Sequence, residues 1–174
     1  MVEITYPMVL STIQTVGILV GIIYYIMTLR NTRKNQQLQL ETRQAQLFMQ
    51  IYDKFNDKEF VKDWTNFVLI QDFDNFQDYM DKYGFRNNID AWSTRVSLSD
   101  YFEGIGVLIN RKLIDPTLVD DLMSVNVIRF WEKWGPIVEE YRKDFDLPQL
   151  GEWQEYLYNR IKSISEEQHP ELKT

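Results

Sequence analysis

An uncharged segment of 22 residues, positions 8–29, constrains this chain more than any other feature. As a helix it would be about 33 Å long at about 1.5 Å per residue, enough to cross a hydrocarbon core of about 30 Å. Its few polar side chains are mostly hydroxyls, which can bond back to the carbonyls of their own helix. We therefore predict a transmembrane helix over residues 8–29, which places the lipid bilayer among the partners of the chain.

Basic residues follow this segment, and none precedes it. The positive-inside rule then predicts a single-pass protein of the cell membrane, with a short tail (1–7) outside and the C-terminal domain in the cytoplasm. Two tyrosines near the end of the segment fit an interfacial aromatic belt. The predicted membrane-interface residues are Tyr24, Tyr25, Arg30, Arg33 and Lys34. A cleaved signal peptide is the alternative, although the first alanine is Ala45 and a basic start is missing.

The segment also contains a GxxxG pattern, Gly17 and Gly21, with Gln14 three residues earlier on the same face. Small residues let a second helix approach closely, and an amide can donate a hydrogen bond across such a contact. We expect this face to pack on another membrane helix, from a protein partner or from a second copy of the chain. Glycine is also common in membrane helices that pack on nothing, so the pattern alone is a weak signal.

Residues 30–46 are polar and contain neither Pro nor Gly, so the helix is predicted to continue out of the membrane as a stalk. An apolar stripe with spacings of 4, 3, 4 and 4 begins near its end. Its positions are Leu40, Gln44, Leu47, Ile51 and Phe55. The stripe fits a short coiled-coil seam or, as we favour, the point where the helix meets the core of its own domain. The domain is predicted over 47–165, followed by a flexible tail (166–174).

The rest of the chain is patterned as helices. Their predicted starts are Asn56 or Asp57, Asp74, Asn88 or Asp90, Asp115 with Pro116 at the first position, about Asn126, and about Glu152. One apolar face is predicted at Phe60, Val61, Trp64, Phe67 and Val68. Gly84 should end the helix from Asp74, and Gly135-Pro136 should kink or break the helix from Asn126. Because no alternating strand pattern occurs, the predicted class is all-α, a compact multi-helix bundle behind one N-terminal span.

The charge after residue 43 is acidic: fifteen basic against twenty-four acidic residues, a net of −9. Phosphate binding needs a basic surface, so nucleic acid is not an expected partner. The chain has no cysteine, which removes disulfides and thiolate chemistry.

The stretch YFEGIGVLINRKLIDP, residues 101–116, resembles the signature of an uncharacterised prokaryotic family, a domain of unknown function. The matching features are Tyr101-Phe102-Glu103, Gly106, Leu108 and Leu113-Ile114-Asp115, with the later WEKWGPIVEEYR also similar. Lys112 stands where the family pattern has glycine. The resemblance implies one N-terminal transmembrane helix and an all-helical cytoplasmic domain. It implies no activity, so no functional residue is carried over.

The sequence contains no arrangement of residues typical of a catalytic or metal site. The only histidine, His169, lies in the polar tail, so neither an imidazole-based metal site nor a catalytic triad is expected. No phosphate-binding loop is present, and no cofactor or small-molecule substrate is inferred. Phe130, Trp131 and Trp134 are expected in the core. Glu103 is the one possible functional carboxylate; the plainer interpretation pairs it with Arg129 or Arg142 at the edge of the core.

These observations favour a non-enzymatic function. The leading hypothesis is a membrane-tethered helical module that binds a protein partner at the cytoplasmic face. The alternative is an accessory single-pass subunit of a larger membrane complex, of respiratory or monooxygenase type. One span cannot form a transport path by itself.

Overall fold

A computed structural model of the chain describes residues 5–168, and that part contains six α-helices and no strand. The helices are α1 (Tyr6–Phe55), α2 (Lys58–Thr65), α3 (Phe76–Tyr83), α4 (Ile89–Asn110), α5 (Pro116–Asp144) and α6 (Glu152–Gln168), with a π-helical turn (Asn66–Ile70) directly after α2. The predicted all-α class, a long apolar N-terminal helix followed by a helical bundle, is therefore confirmed.

The first compact unit ends at Arg43 and consists of the first part of α1. Within the described residues α1 is the one helix long and apolar enough to cross a membrane, and none of the side chains in its most apolar stretch is buried. Two threonine hydroxyls, on Thr12 and Thr15, donate to carbonyls four residues back at 2.9 Å. The helix continues without interruption through the polar residues 31–43, as the absence of Pro and Gly predicted.

The second unit begins at Gln44, and the last turns of α1 are part of its core. Phe48 and Phe55 are buried there, and Leu47 and Ile51 pack against the core from its edge. This confirms the favoured interpretation of the apolar stripe for its C-terminal half. Leu40 is half exposed and belongs to the first unit.

Short polar side chains begin four of the helices. Asp57 accepts from two backbone N–H groups of α2, Asn75 from Asp78 of α3, Asn88 from Ala91 of α4, and Asp115 from Thr117 of α5. The start of α3 thus lies one residue later than predicted. Of the predicted apolar face on α2, Phe60, Trp64 and Phe67 are buried, whereas Val61 is exposed.

Helix α5 differs most from the prediction, because it runs over 29 residues where two helices, with a kink or a break at Gly135-Pro136, were expected; no break occurs there. A proline disfavours helical backbone in the preceding residue by crowding its Cβ. Glycine at 135 has no Cβ. A Cβ there would lie 3.1 Å from the nearest ring atoms of Trp131. The glycine therefore reduces the cost of the proline, and the buried side chains on both sides of it keep the helix intact.

Helix α4 ends in a left-handed turn at Lys112, with φ of 57°. The backbone N–H of Leu113 donates to Leu108 and that of Lys112 to Ile109, both at 2.9 Å, which is the double hydrogen-bond pattern of a Schellman motif. Glycine favours this conformation because it has no Cβ, so the place of Lys112 matches the glycine of the family pattern. A lysine therefore occupies the left-handed position of this helix cap.

Aromatic rings fill the space between the helices of the second unit. The rings of Phe102 on α4 and Phe130 on α5 lie 4.6 Å apart, and Phe67 of the π-helical turn contacts both Phe130 and Trp134 at 5.5 and 5.9 Å. Lys133 supports the π-helical turn by donating to the Val68 carbonyl at 3.1 Å and to that of Gln71. Burial lowers the pKa of this lysine.

Helix α6 packs on both α4 and α5, and it meets α4 at Gly106. A Cβ at this position would lie 2.8 Å from the carbonyl carbon of Trp153, closer than real Cβ contacts come. Gly104, one half-turn earlier, has nothing within 4 Å. The backbones of α4 and α6 can therefore cross this closely only because residue 106 is glycine.

We predict opposite effects of the same substitution at these two glycines. Gly106→Ala should lower the free energy of unfolding by about 1–3 kcal/mol, because the methyl group forces α4 and α6 apart. Gly104→Ala should raise the free energy of unfolding by about 0.5–1 kcal/mol, because alanine loses less conformational freedom than glycine in a helix and this position is exposed. Urea unfolding of the full chain in detergent, followed by tryptophan fluorescence, measures both, because all five tryptophans lie after Gln44. Equal effects of the two substitutions would contradict the close crossing.

Candidate functional site

The second unit contains a cavity of about 510 Å³ lined by the turn between α3 and α4, by α4 and α5, by the loop after α5 and by the start of α6. Cavities of about 300–1,000 Å³ are typical of small-ligand sites. Its apolar lining comprises Phe85, Trp92, Val96, Trp134, Val138, Tyr141, Phe145, Leu147, Leu150 and Gly151, and its polar lining Arg95, Ser99, Asp100, Glu103, Gln149 and Gln154. The cavity is therefore mostly apolar with a few polar groups, the composition expected of a binding site.

Arg95 is the only basic side chain in this lining, and it is 9% exposed. Its guanidinium lies 4.6 Å from the ring centre of Trp134 and 5.1 Å from that of Trp92. Within residues 5–168 it makes one hydrogen bond, from Nε to the Tyr79 hydroxyl at a long 3.4 Å. No carboxylate of residues 5–168 is within ion-pair distance of it.

Burial also shifts the pKa values of two tyrosines near Arg95. The pKa of Tyr79 is raised by burial, although the nearby Arg95 charge acts in the opposite direction. Burial also raises the pKa of Tyr141, whose hydroxyl donates to the Met80 sulfur at 3.0 Å. Both phenols therefore stay neutral, and neither supplies an anion for Arg95.

Gln154 closes the cavity from the α6 side. Its Nε2 donates to the Ser99 carbonyl of α4 at 2.7 Å, and the side chain is 5% exposed. Its Oε1 has no hydrogen-bond partner among the described residues. A buried carbonyl oxygen without a donor costs free energy, and this oxygen is shielded from solvent.

Glu103 lies at the edge of this cavity and binds the start of α6. Its carboxylate accepts from the backbone N–H of Gln154 at 3.0 Å and more weakly from Trp153 at 3.4 Å. The predicted pairing with an arginine is wrong: Arg142 instead forms an ion pair with Glu155 at 2.8 Å. The partner is a helix N-terminus, where unpaired N–H groups and the helix dipole favour a negative charge.

Two opposing effects set the protonation of Glu103. Burial raises the pKa of its carboxyl group above the usual value, and the charges of Glu152 and Asp100 act in the same direction. The N–H groups of Gln154 and Trp153 lower it, but burial is the larger effect.

The other predicted site residues are distributed as follows. Gln14, Gly17 and Gly21 are exposed on α1, and a Cβ at either glycine would meet nothing within 4 Å. The predicted interface residues Tyr24, Tyr25, Arg30, Arg33 and Lys34 are exposed further along the same helix. His169 lies outside the described residues. Within residues 5–168 no group of acidic or histidine side chains is arranged to hold a metal ion.

Sequence reasoning placed the aromatic core correctly for Phe130 and Trp134, which are buried, while Trp131 is half-buried. It missed Arg95. The missed signal was helical spacing: Arg95 follows Trp92 by three residues and precedes Leu98 by three, so a charged residue occupies an inward position of α4.

One family model matches residues 11–161, and its description is a domain of unknown function, DUF4760. No curated protein and no solved structure matches the chain. The resemblance seen in residues 101–116 is thus confirmed over most of the chain, and the family brings no assigned activity with it.

The raised pKa of Glu103 makes a prediction about stability and pH. The folded chain takes up the proton of Glu103 at a higher pH than the unfolded chain, where a carboxyl titrates at about 4.3. Relative to Glu103→Gln, the free energy of unfolding of the wild type should rise as the pH falls from about 7 to about 4. Urea unfolding of both chains across this range measures the difference. A constant difference would show that burial and the N–H groups cancel, and a fall would show that the N–H groups outweigh burial.

Proposed function

The chain belongs to the DUF4760 family, and we propose that it is a single-pass membrane protein in which α1 anchors a helical interaction domain at the cytoplasmic face. The carrying observation is the apolar stretch of α1, none of whose side chains is buried. Apolar surface on this scale is unfavourable in water and favourable in lipid.

The continuity of α1 supports an anchor over a cleaved signal peptide. The helix extends from the apolar residues through the polar ones to Phe48 and Phe55, which lie in the core of the second unit. The same helix thus carries both the proposed anchor and part of the domain. A signal peptide is instead a separate segment that is removed from the mature chain.

The orientation follows from the charges around this segment. Arg30, Arg33 and Lys34 lie within the first turns after it, and cytoplasmic flanks are enriched in basic residues. Tyr24 and Tyr25 suit the interfacial region next to them. The domain from Gln44 onward is accordingly proposed to be cytoplasmic.

The binding partner is proposed to be a protein that packs on the face formed by Gln14, Gly17 and Gly21, either a second copy or another chain. Hydrophobicity does not bring helices together in lipid, whereas close backbone approach and a hydrogen bond do. Both glycines are open to such an approach, and the exposed Gln14 amide would find a partner there rather than remain in hydrocarbon.

The same exposed amide favours a second candidate function, an accessory subunit of a larger membrane complex. The two candidate functions predict different masses for the particle extracted in mild detergent. Native mass measurement after mild detergent extraction should give a monomer or homodimer for the free module, and a stoichiometric assembly with other chains for the subunit.

Topology tests the anchor. Protease added to intact cells should leave a C-terminal tag uncut and remove an N-terminal one, because the basic flank retains the domain in the cytoplasm. Lysed cells, in which both tags are cut, provide the control. Cleavage of the C-terminal tag without lysis, or recovery of the chain in the soluble fraction, would contradict the proposal.

Crosslinking tests the glycine face. Gly17→Leu with Gly21→Leu should abolish crosslinks to a neighbouring helix in membranes, while insertion is retained because leucine favours the bilayer. The matched control is Leu19→Phe with Ile23→Phe, which adds bulk at the same spacing about 200° round the helix. Loss of crosslinks in the control, or their persistence in the glycine variant, would assign the contact to another face.

A further inference from the structure

The cavity of the second unit holds a cation without an anion. Buried arginine side chains are normally paired, because an unpaired charge away from water is strongly unfavourable. Arg95 has five N–H donors, and the described residues use one of them, in a long bond to Tyr79. The remaining donors belong to a side chain that lines the cavity.

Two tryptophans explain how the fold tolerates this charge. The rings of Trp134 and Trp92 lie within 4.6 and 5.1 Å of the guanidinium carbon, a distance at which the ring quadrupole attracts a cation. The edge of a guanidinium, which carries its N–H groups, is the part that binds a carboxylate through two parallel hydrogen bonds.

The rest of the lining limits the charge of a ligand. Arg95 is its only basic residue, and Asp100 and Glu103 are also present, so a doubly charged phosphate would be poorly compensated. An organic cation would find Glu103 already bonded to two N–H groups of α6. A single negative charge on an apolar body matches one free guanidinium in a mostly apolar cavity.

We propose that this cavity binds a small amphipathic monocarboxylate, whose carboxylate pairs with the N–H edge of Arg95 and whose apolar part lies against the aromatic walls. The cavity shares no residue with the proposed packing face on α1, so a test of ligand binding here does not depend on the membrane topology.

A matched pair of ligands tests the proposal on the full chain in phosphatidylcholine nanodiscs. Octanoate and octanamide have the same apolar body, and only the former carries a charge. Titration calorimetry, with empty nanodiscs as blank, should show octanoate binding about tenfold or more tightly than octanamide, the scale of a charge-assisted hydrogen bond. Trp92 and Trp134 lie in the lining, so tryptophan fluorescence should change with octanoate at the same midpoint.

Variants assign the preference to Arg95. Arg95→Gln should reduce octanoate binding to the level of octanamide, and Arg95→Lys should restore part of the difference by restoring the charge. Arg86→Gln is the matched control: Arg86 is exposed, stacks on the cavity residue Phe85 at 5.4 Å and is not in the lining, so its loss should leave the preference unchanged.

Three results would overturn the proposal. Octanoate and octanamide could bind the wild type equally, octanoate could fail to bind, or Arg86→Gln could remove the preference as fully as Arg95→Gln. The first two need no variant, so they decide even if Arg95→Gln does not fold. An acetylated peptide with a free C-terminal leucine carboxylate is tested beside its amide; binding of that peptide without binding of octanoate would also overturn it, in favour of a protein terminus.

Discussion

The close crossing of α4 and α6 is the constraint on which the second unit depends. Gly106 lets the backbone of α6 approach, and within about two turns of it Glu103 and the Ser99 carbonyl bind the first turn of α6. These contacts reinforce one another: the glycine sets the distance, the carboxylate satisfies N–H groups that a helix start leaves unpaired, and the Gln154 amide fixes the rotation. These contacts fix the position of α6, whose start forms one side of the cavity.

Between α4 and α5 the separation is set by side chains. Rings of Phe102, Phe130 and Phe67 fill the space with tilted contacts, as aromatic side chains pack in cores. Toward the start of α4 the packing changes, because Arg95 occupies an inward position that an apolar residue would fill elsewhere. The two tryptophans compensate its charge, and the space beside them remains open. Core and cavity are thus parts of one aromatic layer, distinguished by a single charged residue.

Local chemistry was predictable from the sequence, and long-range pairing was not. The helix starts at Asp57, Asn88 and Asp115 depend on side chains within three residues of the backbone they bind. The pattern alone therefore located Asp115 and narrowed each of the other two starts to a pair of candidates. The continuity of α5 through Pro136 depends on the lack of a Cβ at residue 135 and on burial along the helix. The partner of Glu103 is some fifty residues away, and helical spacing cannot specify such a contact. Arg95 was missed because an arginine was assumed to be surface.

The place of α6 in the chain also has a consequence during synthesis. Roughly one hundred residues separate the end of α1 from the start of α6, so at about 5–20 residues per second the ribosome needs about 5–20 s to supply the helix that packs on both α4 and α5. Until then the apolar faces of those two helices lack their common neighbour. A nascent chain exposes these apolar faces throughout this interval. A chain truncated before Glu152 would keep them exposed and be open to degradation.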